Sequence, residues 1–198
     1  MAPKIGILAL QGAFIEHETV LQSLGAETVQ VRLPSDLEGL DGLVIPGGES
    51  TTIGKLATSY GLIEPLRAFA SATPTWGTCA GMIFLASELD HNSQPILGLM
   101  DITVSRNAFG SQVYSFEQAL DIAGLDTPFN AVFIRAPIAT AAADDVEVLA
   151  RMADGRIVAA RQGHLLATAF HPELTDDTRL HAYFIRMIEE TEKESIES

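Results

Sequence analysis

The sequence predicts an α/β fold built on a mostly parallel sheet flanked by helices, and three observations carry that prediction. Short apolar runs of strand length alternate with segments of helical spacing through the first half of the chain. Glycine-containing breaks at Gln11-Gly12, Pro46-Gly47-Gly48 and Gly77 to Gly81 follow directly on three of those runs. The second half is richer in extended segments, which reads as an added antiparallel strand region.

Taken in order, Lys4 to Leu10 reads as a buried strand through Ile5, Ile7, Leu8 and Leu10. Phe14 to Leu24 has helical spacing, with Phe14, His17, Val20, Leu21 and Leu24 near one face and Gly25 closing it. Thr28 to Leu33 and Gly42 to Ile45 are the next strands. Two helices, Ser50 to Tyr60 and Leu62 to Ala70, are separated by Gly61. Pro74 to Trp76 is a short strand, and Met82 to Leu89 a helix. Extended segments then run over Met100 to Arg106, Ala131 to Pro137, Val146 to Met152, Arg156 to Arg161 and Leu165 to Phe170. Asp154-Gly155 marks a hairpin between two of them. Ala139 to Ala143 reads as a small-residue loop, and Asp176 to Glu190 as the terminal helix. No repeat or long linker divides the chain, so one domain over residues 1–190 with an acidic tail at 191–198 is expected.

Composition narrows the function. With 47% hydrophobic and 19% charged residues in 198, the chain can bury a sizeable core. No apolar run approaches the roughly 20 residues of a membrane span. Met1-Ala2-Pro3-Lys4 leads straight into a strand without the apolar stretch of a secretory signal, so a cytoplasmic location is expected. A formal net charge of −14 repels phosphate backbones and argues against nucleic acid as a partner. The single cysteine excludes an internal disulfide and a multi-cysteine zinc site. A lone cysteine is ordinarily a small buried hydrophobe.

Its surroundings argue otherwise. Cys79 lies in Gly77-Thr78-Cys79-Ala80-Gly81, between a strand and a helix. This is the cysteine form of the strained elbow that lifts a nucleophile above an α/β sheet. The glycines admit the sharp turn, and a helix N-terminus aimed at the sulfur favours thiolate.

A thiol nucleophile needs a histidine that moves protons. Five are available: His17, His91, His164, His171 and His181. His17 and His181 fall on helices and read as core or surface residues. His91 is in a polar loop, and His164 in a strand connection. His171 ends an apolar strand and opens His171-Pro172-Glu173. In extended chain His171 and Glu173 point the same way, so the carboxylate can hold the imidazole in one tautomer while the other nitrogen faces Cys79.

Acyl transfer also needs oxyanion donors. Gly47-Gly48, at the carboxyl end of a strand, offers free N–H groups where α/β sites form. A phosphate loop is excluded, because five residues rather than four separate Gly48 from Gly54 and Leu56 follows Lys55. Arg106 and Arg135 end otherwise apolar strand segments and suit the carboxylate of an amino-acid substrate, with an acid for its ammonium.

These pieces together resemble the class I (triad) glutamine amidotransferases, with their flavodoxin-like sheet. More narrowly, the chain is similar to the glutaminase subunits of two-part pyridoxal 5′-phosphate synthase, the PdxT or Pdx2 family. The resemblance runs from Ile5 through the terminal helix. It is carried by Gly6-Ile7-Leu8-Ala9-Leu10-Gln11-Gly12, Leu43 to Thr52, Gly77 to Ile83, Arg106-Asn107-Ala108-Phe109-Gly110, Ile134-Arg135-Ala136-Pro137 and His171-Pro172-Glu173-Leu174-Thr175. Ala80 and Ile83 stand where related subunits for histidine, tryptophan and guanine nucleotide synthesis usually carry a bulkier residue and Gln.

The resemblance implies a Cys79-His171-Glu173 triad and glutamine contacts at Gly47, Gly48, Glu49, Arg106, Ile134 and Arg135. It implies an oxyanion hole at Gly48 and Ala80, and Gln11 near the site and the partner surface. It implies hydrolysis of L-glutamine to glutamate and ammonia through a glutamyl thioester, with no metal or organic cofactor. The ammonia passes to a TIM-barrel synthase of the PdxS or Pdx1 type, a dodecameric core carrying at most one glutaminase per synthase subunit. A glutaminase for another pathway, a non-catalytic scaffold, and a cysteine peptidase or esterase are the competing readings. The run from Gly77 to Ile83, the complete triad, and the shared purpose of Glu49, Arg106 and Arg135 weigh against them in turn.

Overall fold

The computed structural model describes residues 2–90, 93–106 and 115–197. In chain order the elements are β1 (Lys4–Leu8), α1 (Phe14–Ser23), β2 (Glu27–Val31), β3 (Gly42–Ile45), α2 (Ser50–Ser59), α3 (Ile63–Ala70), β4 (Thr75–Thr78) and α4 (Ala80–Leu85). There follow β5 (Ala86–Leu89), β6 (Met100–Ser105), β7 (Ser115–Leu120), β8 (Phe129–Ile134), β9 (Ile138–Ala142), β10 (Glu147–Arg151), β11 (Ile157–Gln162), β12 (Leu165–Thr168) and α5 (Arg179–Glu197). A 3-10 turn over Pro172–Leu174 links β12 to α5.

The first half, joined by β12 from near the end of the chain, forms the parallel part of the sheet, in the order β2-β1-β3-β4-β12. The second strand goes to one side of β1 and the third to the other, which is the crossover pattern of a doubly wound sheet. Beyond β12 the sheet continues through β11, β9 and β6 by antiparallel pairing, with β5 parallel to β6 and β10 paired to β11. β7 and β8 form a separate hairpin sheet. The α/β class, the mainly parallel sheet and the added antiparallel region therefore stand as expected.

Strand β4 is buried along its whole length and shows how the layers are built. Trp76 and Thr78 alternate onto the face covered by α1 and α5, where Trp76 meets His17, His181 and Phe184. Its indole N–H donates to Thr168 Oγ1 on β12 at 3.1 Å, so this large ring is buried without an orphaned donor. Gly77 faces the other way, onto α4.

The structure departs from the sequence reading in four places. The expected helix Met82 to Leu89 stops at Leu85, and Ala86–Leu89 pairs with β6 instead. A short apolar run fits either state, and pairing with β6 decides it. The expected loop Ala139 to Ala143 is largely β9, seated between β6 and β11; its two neighbours override the weak strand preference of alanine. β7 was not anticipated; its partner is the predicted strand β8. The terminal helix starts at Arg179 and continues past residue 190 to Glu197.

Candidate active site

The carboxyl ends of β1, β3, β4 and β12 converge at the crossover point of the parallel strands, where ligands of such sheets bind. Gln11 follows β1, Gly47 and Gly48 follow β3, Cys79 follows β4, and His171 follows β12. Between them lies a cavity of about 440 Å³, lined by Gln11, Gly48, Glu49, Ser50, Cys79, Ala80, Ile83, Arg106, Ile134, Arg135 and His171. That volume falls in the range of small-molecule sites.

Cys79 occupies the elbow with φ 49° and ψ −103°, in the region that non-glycine residues rarely adopt. Such backbone costs on the order of 1–3 kcal/mol and persists only where the surroundings impose it. They do so here by close approach. A Cβ on Gly81 would lie 1.9 Å from the Ile45 carbonyl oxygen, and one on Gly77 would lie 2.4 Å from the Gly81 carbonyl. The Cys79 N–H donates to Thr168 O at 2.8 Å, which pins the turn to β12. Cys79 caps α4, and Ala80 is its first residue, so the Ala80 N–H has no partner within the helix. Cys79 is 6% exposed, and its sulfur sits 3.9 Å from Ile134 O.

His171 Nδ1 bonds Glu173 Oε1 at 2.6 Å, and the ring also engages the Cys79 sulfur, which leaves Nε2 for that contact. Burial alone lowers an imidazole pKa. Here the contacts with Cys79 and Glu173 outweigh burial and raise His171 to about 10. The resting histidine is therefore an imidazolium held between the Cys79 sulfur and the Glu173 carboxyl group. Gly47 makes room for it: a Cβ there would meet His171 Cε1 at 2.4 Å and Cys79 Cβ at 3.3 Å.

The mouth of the cavity is polar. Glu49 caps α2, accepting the N–H groups of Thr51 at 3.1 Å and Thr52 at 2.7 Å and the Thr52 hydroxyl at 2.7 Å. Partial burial works against its charge, but the Thr52 and Thr51 donors prevail and lower its pKa to about 2. Arg106 reaches the same carboxylate at 3.1 Å, Thr51 Oγ1 at 3.2 Å and Gln94 Oε1 at 2.9 Å. Arg135 lies just past β8 with φ 42°, a second strained residue at the site. An aromatic stack holds that segment: Phe133 lies on Phe116 at 4.7 Å and against Phe170 at 5.5 Å, and His171 N–H donates to Val132 O at 2.8 Å.

The candidate site residues that are described come together: His171 touches both Cys79 and Glu173, with Gly47, Gly48, Glu49, Ala80, Arg106, Ile134 and Arg135 around them. His91 and the segment Asn107 to Gly110 lie outside the described residues. Among the described residues no group of three or more His, Cys, Asp or Glu is arranged to hold a metal ion. Sequence reasoning missed Gln94, which bonds Arg106, and it missed the contact of His17 with Glu173. The signal for the second was a histidine on the otherwise apolar face of α1.

The chain is similar to known proteins over most of its length. The model of the SNO glutamine amidotransferase family matches residues 7–190. The pyridoxal 5′-phosphate synthase subunit PdxT of Herpetosiphon aurantiacus is 60% identical over 186 residues, covering 91% of this chain and 98% of that one. The protein of that name from Roseiflexus sp. is 58% identical over 187 residues, covering 92% and 99%. A solved glutamine amidotransferase superposes with a TM-score of 0.88 at 50% identity, covering 93% of this chain and 98% of that one. A putative GMP synthase subunit from Thermoplasma acidophilum, 20% identical with a TM-score of 0.73, shares the fold.

Proposed function

This chain belongs to the SNO glutamine amidotransferase family, and from that premise we propose that it is the glutamine-hydrolysing subunit of a pyridoxal 5′-phosphate synthase, with Cys79, His171 and Glu173 as its triad. The observation that carries the reading is His171 bridging the Cys79 sulfur and the Glu173 carboxylate at the wall of the cavity.

The Cys79 thiolate attacks the side-chain carbonyl carbon of glutamine. The N–H groups of Gly48 and Ala80 receive the oxyanion. His171, held protonated, gives its Nε2 proton to the leaving nitrogen, and ammonia departs as the C–N bond breaks. A glutamyl thioester remains. The sulfur now carries no charge, so part of what raised the His171 pKa is gone. The imidazole then accepts a proton from water, whose oxygen attacks the thioester and releases glutamate. Arg106 and Arg135 suit the substrate carboxylate, and Glu49 its ammonium; Gly47 and Ile134 complete the wall.

The ammonia goes to a synthase subunit of the PdxS type, a TIM barrel assembled as a dodecamer, in the cytoplasm. Two features support docking beside the site. Ile15 on α1 and Leu174 on the 3-10 turn are large exposed hydrophobic residues on elements in contact with each other. The peptide between Gly47 and Gly48 is held from the loop after β1: Ala13 N–H donates to Gly47 O at 3.1 Å and Glu49 N–H to Gln11 Oε1 at 2.8 Å. Carbonyl and N–H of a trans peptide point opposite ways, so a partner that moves this loop re-aims the Gly48 donor. Glutamate release measured with and without the synthase subunit tests the proposal. It predicts slow turnover alone and faster turnover in the complex; equal rates refute the docking step, and no turnover in either refutes the activity.

A further inference from the structure

We infer that His17 is a positioning residue of the hydrolytic site: its Nε2–H holds the second carboxylate oxygen of Glu173, and His181 holds His17 in the tautomer that does so. The inference rests on the triad reading above.

The Glu173 side chain is wholly buried. One oxygen, Oε1, takes the Nδ1–H of His171. The other, Oε2, has no hydrogen-bond partner among the described residues, and it lies 3.3 Å from Nε2 of His17. His17 is itself fully buried under the elbow. Its Nε2 is also 3.2 Å from Thr78 Oγ1, and its Nδ1 is 2.9 Å from Nε2 of His181 on α5. The groups facing His17 are therefore Glu173 and His171 from the 3-10 turn and its approach, Thr78 and Trp76 from β4, and His181 from α5.

Burial, and then the neighbouring His181 and His171, keep His17 well below its ordinary pKa, so it is neutral and carries one N–H. Burial likewise lowers His181 to about 4. Two arrangements of the protons are open. If His17 carried its proton on Nδ1, donating to His181, a bare imidazole lone pair would face the Glu173 carboxylate. His181 would then carry a buried Nδ1–H, and that atom has no partner among the described residues. An orphaned buried donor costs about 1–3 kcal/mol. If both rings carry the proton on Nε2, His181 donates to His17 Nδ1, and the His17 N–H lies between Thr78 Oγ1 at 3.2 Å and Glu173 Oε2 at 3.3 Å, near enough to serve the carboxylate. His181 Nδ1 then keeps only a lone pair, and no donor of either ring is orphaned among the described residues. The carboxylate thus selects the tautomer of two histidines behind it.

The consequence for the site is geometric. The last torsion of a glutamate side chain is broad and two-fold, so a single bond to Oε1 does not fix the carboxylate plane. The second bond, from His17, does. With it, His171 has one orientation toward Cys79.

The decisive measurement is the ¹⁵N resonance pattern of His17 and His181 in the wild-type protein. Neutral Nε2–H tautomers at both are expected, and an Nδ1–H tautomer at His17 overturns the inference whether or not any variant folds. In parallel, His17→Leu and His17→Gln are compared by kcat, KM for glutamine and the pH–rate profile in the complex with the synthase. Loss of such an outer hydrogen bond reduces activity by about 10–100-fold. That loss is expected in kcat for His17→Leu, with a displaced acid limb of the profile and little change in KM. The Gln side chain carries an N–H near the same place and recovers most of the rate. A folded His17→Leu with wild-type kcat and pH profile overturns the inference. Cys79→Ala is run alongside: if it turns over, the triad reading itself fails; if it is dead while His17→Leu is unchanged, only the role of His17 fails.

Discussion

Replacing Gly47 by alanine puts a methyl carbon 2.4 Å from His171 Cε1 and 3.0 Å from its Nδ1. Ordinary contact begins near 3.4 Å, so the ring or the loop must retreat by about 1 Å. The ring has little freedom to do so. Its Nδ1 is held at 2.6 Å by buried Glu173, and its backbone N–H at 2.8 Å by Val132 O. Gly47 has no left-handed φ, so alanine adds no backbone strain and the damage stays local. Misplacing a reacting group by 1 Å costs about 100-fold in rate. The expected result is therefore a fall of that order in kcat for glutamine hydrolysis in the complex, with a melting temperature close to wild type. Steady-state glutamate release and thermal unfolding measured on the same preparation check it. A Gly47→Ala protein with kcat within about threefold of wild type would refute the claim that this glycine exists to admit the His171 ring.

Other outcomes follow from the same contacts. In an NMR titration His171 should stay protonated well above pH 7, in keeping with a pKa raised to about 10, and should titrate lower in Cys79→Ala, which removes contacts that raise it. Glu49→Ala removes the α2 cap at a cost of about 1 kcal/mol, a drop of roughly 2–4 °C in melting temperature. The Glu49 pKa is depressed on folding, so the stabilisation is present above about pH 4.5 and lost as pH falls toward 2; the gap between wild type and variant should close over that window in acid unfolding curves. Phe133→Ala removes a fully buried ring from the stack on Phe116 and Phe170, costing about 3–5 kcal/mol, and should raise KM by loosening Ile134 and Arg135.

The parallel half of the fold was legible because its signals are local. β3 has the bounds its apolar run predicts, and the breaks after β1, β3 and β4 are the loops that bear the site. The antiparallel half was less so, because pairing rather than composition makes its strands. Alanine-rich β9 and the turn of Ala86–Leu89 into β5 are decided by neighbours distant in sequence. At the site, Cys79 and His171-Pro172-Glu173 announce themselves by glycine spacing and by a histidine at a strand end. His17 does not, since its role depends on α1 packing over β4 and bringing an imidazole to the far side of Glu173. Charge networks between elements, such as Arg106 with Glu49, Thr51 and Gln94, are likewise set by the fold and not by any one segment.

The central claim is that Cys79 carries the glutamyl group. Acid-quenching the complex during turnover of glutamine and mapping the protein by mass spectrometry tests it most directly. The account predicts a glutamyl adduct on the peptide containing Cys79, absent with Cys79→Ala, which should release no glutamate. An adduct elsewhere, or steady glutamate release by Cys79→Ala, would contradict it.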